Sequence, residues 1–155
     1  MKNILRVIFS FAIVFGALGL AAYCLTPQAA SWYAAISKPA FTPPSWILGP
    51  VWIVLYFLMA IALIRVLGFP FDAASRRWSF VFVIQLLLNI LWAVLFFTFH
   101  SLLLSVVDIV VLWFAVVILT VNASEIDRTA FWLLVPYFAW ITFVLILDIG
   151  IWWID

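Results

Sequence analysis

Five long apolar runs, almost free of charge, constrain this chain more than any other feature. They span about Ile4–Leu25, Ser45–Leu67, Arg77–Phe99, Ser101–Val121 and Thr129–Ile154. Each is long enough to cross a bilayer as a helix, which takes about 20 residues. Only 8% of the 155 residues are charged, whereas a water-soluble domain needs about a quarter of its residues charged to cover its surface. The runs are solidly apolar and do not alternate with period two, so helices are predicted over a transmembrane β-barrel. The expected fold class is an all-α membrane protein: a five-transmembrane-helix bundle with a long ordered loop between the first two spans. Residues 1–155 are read as one domain.

The breaks between runs carry turn and cap chemistry. Gly68, Pro70 and Asp72 end the second run, and Ser75 is the expected N-cap of the third. Ser124 and Asp127 are expected to form a capping box before the fifth. Only His100-Ser101 divides the third run from the fourth, which predicts a tight antiparallel hairpin. The first run is read as a retained span, because it is longer than a signal-peptide core. Tyr23 before Cys24 also spoils a lipoprotein cleavage site.

Charge orients the spans. With five crossings, Lys2, Arg6, Arg65, Arg76, Arg77 and Arg128 share one side, and Lys38 stands alone on the other. That asymmetry predicts a cytoplasmic N-terminus and cytoplasmic Arg-rich connectors, with the first loop and C-terminus on the opposite side of a bacterial membrane. Five spans cannot be halved into an inverted-repeat transporter. A single cysteine, Cys24, excludes an internal disulfide, and one histidine, His100, has no second ligand near it in sequence. No metal site, cofactor or nucleic-acid face is predicted.

Polar residues inside the spans are costly and mark functional or helix-gluing positions. Gln85, Asn89 and Trp92 fall on one face of the third helix, either bonding between helices or lining a pocket. Asp108 lies about a third of the way along the fourth run. Asp148 follows Trp140 and Val144 on one stripe of the fifth, near enough to the interface to be wetted. Of the ten tryptophans, Trp46, Trp78, Trp152 and Trp153 read as an interfacial belt. Trp52, Trp92, Trp113 and Trp140 lie deeper. Trp52 with Tyr56, and Tyr137 with Trp140, are candidate aromatic walls for a flat apolar ligand. Ala12 with Gly16, and Ala17 with Ala21, permit close helix approach within the bundle or between protomers.

The blocks "WYAAISKPAFTPPSWILGPVW", "QLLLNILWAVLFF" and "PYFAW" resemble, in order and spacing, the TspO family of tryptophan-rich sensory proteins. The mitochondrial translocator protein, or peripheral-type benzodiazepine receptor, is a relative. The resemblance runs from Trp32 to about Asp148 and implies a homodimer of five-helix bundles, each around one ligand cavity. It implies binding of porphyrins such as protoporphyrin IX, and possible ligands of sterol-like and isoquinoline carboxamide type, among membrane lipids. By position it implies a pocket of Tyr33, Pro43, Trp52, Tyr56, Asn89, Trp92, Asp108, Ile109, Trp140 and Val144. Trp52 and Trp140 match a pair implicated in light-dependent porphyrin breakdown, and are the candidate catalytic residues if the chain is an enzyme.

Three departures stand out. Asp148 replaces a usual asparagine, Val144 replaces a usual alanine, and the C-terminus lacks the tyrosine-basic pattern proposed for cholesterol. The expected function is a membrane receptor or sensor for tetrapyrroles; the alternatives are a light-dependent porphyrin-degrading enzyme and a porphyrin or lipid transporter. The segment "SKPAFTPPSW", stiffened by prolines that fix φ and extend the preceding residue, is expected to roof the pocket. Lys38 within it is expected to meet a ligand carboxylate or lipid headgroups.

Overall fold

The computed structural model describes residues 2–155, with side chains from Asn3 onward; the Lys2 side chain, counted in the charge asymmetry, lies outside the described residues. Six α-helices follow one another: α1 (Lys2–Tyr23), α2 (Pro27–Ala35), α3 (Ser45–Val66), α4 (Ala73–Ala93), α5 (Leu102–Ile126) and α6 (Arg128–Ile154). Among the described residues five of these are long and apolar enough to cross a membrane, and α2 is the exception. The protein is a multi-pass integral membrane protein built as a five-helix bundle.

The short helix α2 inside the first loop has a local cause. Thr26 is its N-cap, its hydroxyl accepting from Ala29 N at 3.1 Å, and Pro27 opens the helix. A proline in the first turn loses no hydrogen bond there. At the other end, the Lys38 ammonium donates to the carbonyls of Tyr33, Ala34 and Ile36 and sits 4.9 Å from the centre of the Tyr33 ring. Lys38 thus closes the C-terminus of α2, where a cation meets the unpaired carbonyls. It is not extended toward a ligand or headgroups.

Two expected caps shift. Asp72, not Ser75, caps α4: its carboxylate accepts from Ser75 N at 2.9 Å, and Ser75 Oγ donates to Pro70 O. Asp127 caps α6 alone, accepting from Thr129 N and Ala130 N at 3.3 Å each, while Ser124 lies within α5 and donates to Val121 O. The reason is that α5 continues to Ile126, five residues beyond the expected end, so only Asp127 is left at the break. Its carboxylate also binds Arg65 at 2.7 and 3.1 Å. Those side-chain hydrogen bonds hold the Asp127 carboxyl below the usual carboxylate range.

The α4–α5 hairpin turns where the sequence places it. The last turn of α4 widens into a π-helical turn, Val94–Thr98, with Phe99 N donating to Val94 O at 3.0 Å. His100 then reverses the chain with φ of 53°, a left-handed conformation that costs a non-glycine residue about 1 kcal/mol or more. Its ring stacks on Trp32 of α2, with centroids 4.2 Å apart.

Trp78 does not join the interfacial belt. It is fully buried, and its indole N–H donates to Leu119 O at 3.0 Å. Closeness to a helix end could not reveal that its face of α4 packs on α5. Trp46 and Trp153 are 76% and 80% exposed, and Trp152 is 41% exposed, as belt residues must be.

Candidate functional site

One network ties three helices together at the floor of the candidate site. Tyr56 of α3 donates to Asn89 Oδ1 at 2.9 Å, and Asn89 Nδ2 donates to the Tyr137 hydroxyl at 3.1 Å. Tyr137 in turn donates to Gln85 Oε1 at 2.7 Å. All four side chains are buried. In an apolar interior an unpaired hydroxyl or amide costs about 1–3 kcal/mol, so the relay fixes α3, α4 and α6 in one register. The polar face read on α4 therefore bonds between helices, and Asn89 also contributes to the cavity wall.

Above this floor lies a cavity of about 520 Å³, within the range of small-molecule sites. Its walls are mainly aromatic. The Trp52 ring lies 6.3 Å from both Trp92 and Trp140 and 6.0 Å from Tyr56. The π-helical turn brings Phe96 and Phe97 into the same wall, with Trp92 stacked on Phe96 at 5.5 Å. An extra residue in a helical turn re-aims the side chains after it, which is why such turns recur at functional sites. Toward the bilayer the cavity reaches Leu25 of the first loop and Ile53 of α3, both more than half exposed, so it opens between α1 and α3.

Of the residues inferred for the pocket, Tyr33, Trp52, Tyr56, Asn89, Trp92, Trp140 and Val144 line this cavity. Pro43, Asp108 and Ile109 lie outside its lining. Asp108 and Ile109 are buried on α5, and the Asp108 Oδ2 has no hydrogen-bond partner. The roof is mainly α2, through Ala30 and Tyr33, and of the proline segment only Ser45 reaches the lining. That segment instead runs down onto α6: Pro39 fills the space above Gly150, where a Cβ would lie 2.7 Å from the proline ring. Phe41 packs on Phe143 at 6.3 Å, and Ser37 N donates to Asp155 at 3.0 Å. Burial under the roof, and secondarily the charge of Asp148, raise the Tyr33 phenol above its ordinary range.

Sequence reasoning missed Phe96 and Phe97 as wall residues, because an ordinary helix gives no reason to turn adjacent phenylalanines inward, and it also missed Phe143 of α6. It missed α2 although Thr26-Pro27 is a legible helix start. Asp148, expected on the Trp140–Val144 stripe and near enough to the interface to be wetted, is instead 97% buried and lines the cavity, accepting from Trp92 Nε1 at 2.8 Å.

A helical membrane bundle with an aromatic cavity beneath a short helical lid is thus the class of protein defined by fold and site. The family model for the TspO/MBR family matches residues 9–154. The tryptophan-rich protein TspO of Chlorobaculum tepidum is 39% identical over 137 residues, 87% of each chain. That of Archaeoglobus fulgidus is also 39% identical, over 96% of each chain. The human translocator protein is 34% identical over 125 residues, 78% of this chain and 73% of the relative. The chain belongs to the TspO/MBR family.

Proposed function

We propose that the cavity is a binding site for tetrapyrroles such as protoporphyrin IX, and that the protein is a membrane receptor or sensor for them. The observation that carries this reading is the cluster of Trp52, Trp92 and Trp140 around one cavity. Indole faces bind flat π systems through large, rigid contact areas. Tyr33, Tyr56, Asn89 and Val144 complete the contact set; sterol-like and isoquinoline carboxamide ligands would compete for the same walls. Pro43, Asp108 and Ile109 act on the ligand only through neighbours, since they lie outside the lining. The Arg-rich end faces the cytoplasm and the α2 end faces away from it, by the charge asymmetry, and two copies pair in the membrane. Titration of the purified protein with protoporphyrin IX should quench tryptophan fluorescence to saturation. The double variant Trp52→Phe, Trp140→Phe should lose most of that quench. No saturable quench in the wild type would sink the proposal.

The contact between Trp52 and Trp140 supports a second reading, in which the pair holds a porphyrin that, once photo-excited, is itself oxidised by dioxygen. Under illumination in air the protein should then deplete bound porphyrin faster than an equal amount of free tryptophan, and equal rates would remove this reading.

A further inference from the structure

The end of the cavity under α2 is lined by a carboxyl group that, among the described residues, has no free basic partner. Asp148 lines it, and one helical stripe carries Trp140, Val144 and Asp148 along the wall. Trp92 Nε1 is the full donor to the Asp148 carboxylate. Ser105 lies beside it, yet its hydroxyl donates to Leu102 O at 2.9 Å. Behind it on α5 stands a second carboxylate, Asp108, with Oδ2 buried and unpartnered. The basic residues are elsewhere: Lys38 is bound to the carbonyls closing α2, and Arg6, Arg65, Arg76, Arg77 and Arg128 lie on the opposite end of the bundle. About two helical turns deeper, roughly 12 Å along α6 at 1.5 Å per residue, the Trp140 indole N–H is buried without an acceptor.

From this arrangement we infer that Asp148 makes the lid end of the cavity select a ligand bearing a cationic nitrogen on a flat aromatic body, and reject one presenting a carboxylate there. The inference rests on the cavity's being a ligand site, as in the reading above, and specifies what the ligand presents to it. An ammonium favours the ionised form of this carboxyl and gains a charge-assisted hydrogen bond from it, whereas a ligand carboxylate gains no cation there. The free Trp140 N–H, in turn, suits an acceptor at the ligand's far edge. A tetrapyrrole would accordingly turn its carboxylates away from Asp148, toward the opening between α1 and α3.

Three pyrenes of one shape test this without a tetrapyrrole: pyrenemethylammonium, neutral pyrenemethanol and pyrenecarboxylate, each titrated by its fluorescence into the purified protein at one pH. The wild type should bind the ammonium about tenfold more tightly than the alcohol, and the carboxylate weakest, since a hydrogen bond to a charged group is worth about 1.5–3 kcal/mol. Asp148→Asn should collapse the ammonium-to-carboxylate ratio to within about threefold, and Asp148→Glu should keep the wild-type order. Should Asp148→Asn fail to fold, the wild-type order alone still decides. A wild type that binds the carboxylate as tightly as the ammonium overturns the inference, as does an unchanged ratio in Asp148→Asn. If the pyrenes follow the expected order while protoporphyrin IX gives no quench, only the tetrapyrrole reading falls; if protoporphyrin IX quenches to saturation and no pyrene binds, only this inference falls.

Discussion

The two ends of the bundle are fastened by different physics. At the Arg-rich end the connectors are short and directional. Asp72 caps α4, Asp127 caps α6 while binding Arg65, and the Trp78 indole is tied to a carbonyl of α5. At the opposite end the long first loop is held mainly by ring contacts and close packing. Trp32 rests on His100 and Phe96, and Pro39 sits over Gly150. Directional bonds hold one geometry, whereas apolar contacts tolerate sliding. The cavity lies at the second end, so its cover can shift without loosening the frame that aligns the tryptophans.

The comparison breaks first if the relay beneath the cavity is not the element that holds the frame. Asn89→Leu removes an acceptor from Tyr56 and a donor from Tyr137, and should cost about 2 kcal/mol of stability, read as a lowered thermal transition in detergent. An unchanged transition would show that the helices are registered by packing alone. Next comes Gly150→Ala, whose new Cβ must displace Pro39. We expect ligand affinity to fall about tenfold, equivalent to roughly 1.4 kcal/mol, with little change in the melting transition, because the loop moves rather than the bundle. A large loss of stability with intact affinity would reverse the assignment of flexible and rigid ends.

Asp127→Ala should cost about 1 kcal/mol, the usual worth of an N-cap, and leave ligand affinity unchanged. A drop in affinity would mean that the two ends are coupled. The smallest effect is in pH. The folded Asp127 carboxyl is held low by its hydrogen bonds from Arg65, and Asp72 is held low by the Ser75 N–H. A depressed folded value means that each contributes stability above the unfolded carboxylate value, near 3.9, which is lost as pH falls through the lower folded value. Acid melting of the wild type should therefore begin below about pH 4, and Asp127→Asn should flatten that part of the curve. An identical acid profile would remove these caps from the account.

Much of the frame was legible in the sequence because the bilayer leaves little choice. Charge-free stretches of this length must become helices, since no water is present to satisfy an open backbone. The tight turn at His100-Ser101 and the helix faces carrying Gln85, Asn89 and Trp92 follow from composition and period alone. Seven of the ten inferred pocket residues meet at one cavity. The misses have specific causes. Ser75 and Ser124 are good caps by type, but which polar residue caps depends on where the helix ends: α4 starts four residues before, and α5 ends five residues after, the bounds that hydropathy suggests. Trp78 looked interfacial by depth, yet its partner, Leu119, lies 41 residues away.

What the sequence by itself determined was the number of spans, their register of polar residues and the kinship carried by its tryptophan and proline blocks, because these depend on local composition and spacing. Only the tertiary structure decided that α2 covers more of the cavity than the proline segment does, that Lys38 closes α2, and that Asp148 faces the cavity without a basic neighbour among the described residues. Those outcomes depend on which side chains from distant helices reach one another first, and neighbours brought together by packing leave no mark in the spacing of residues along the chain.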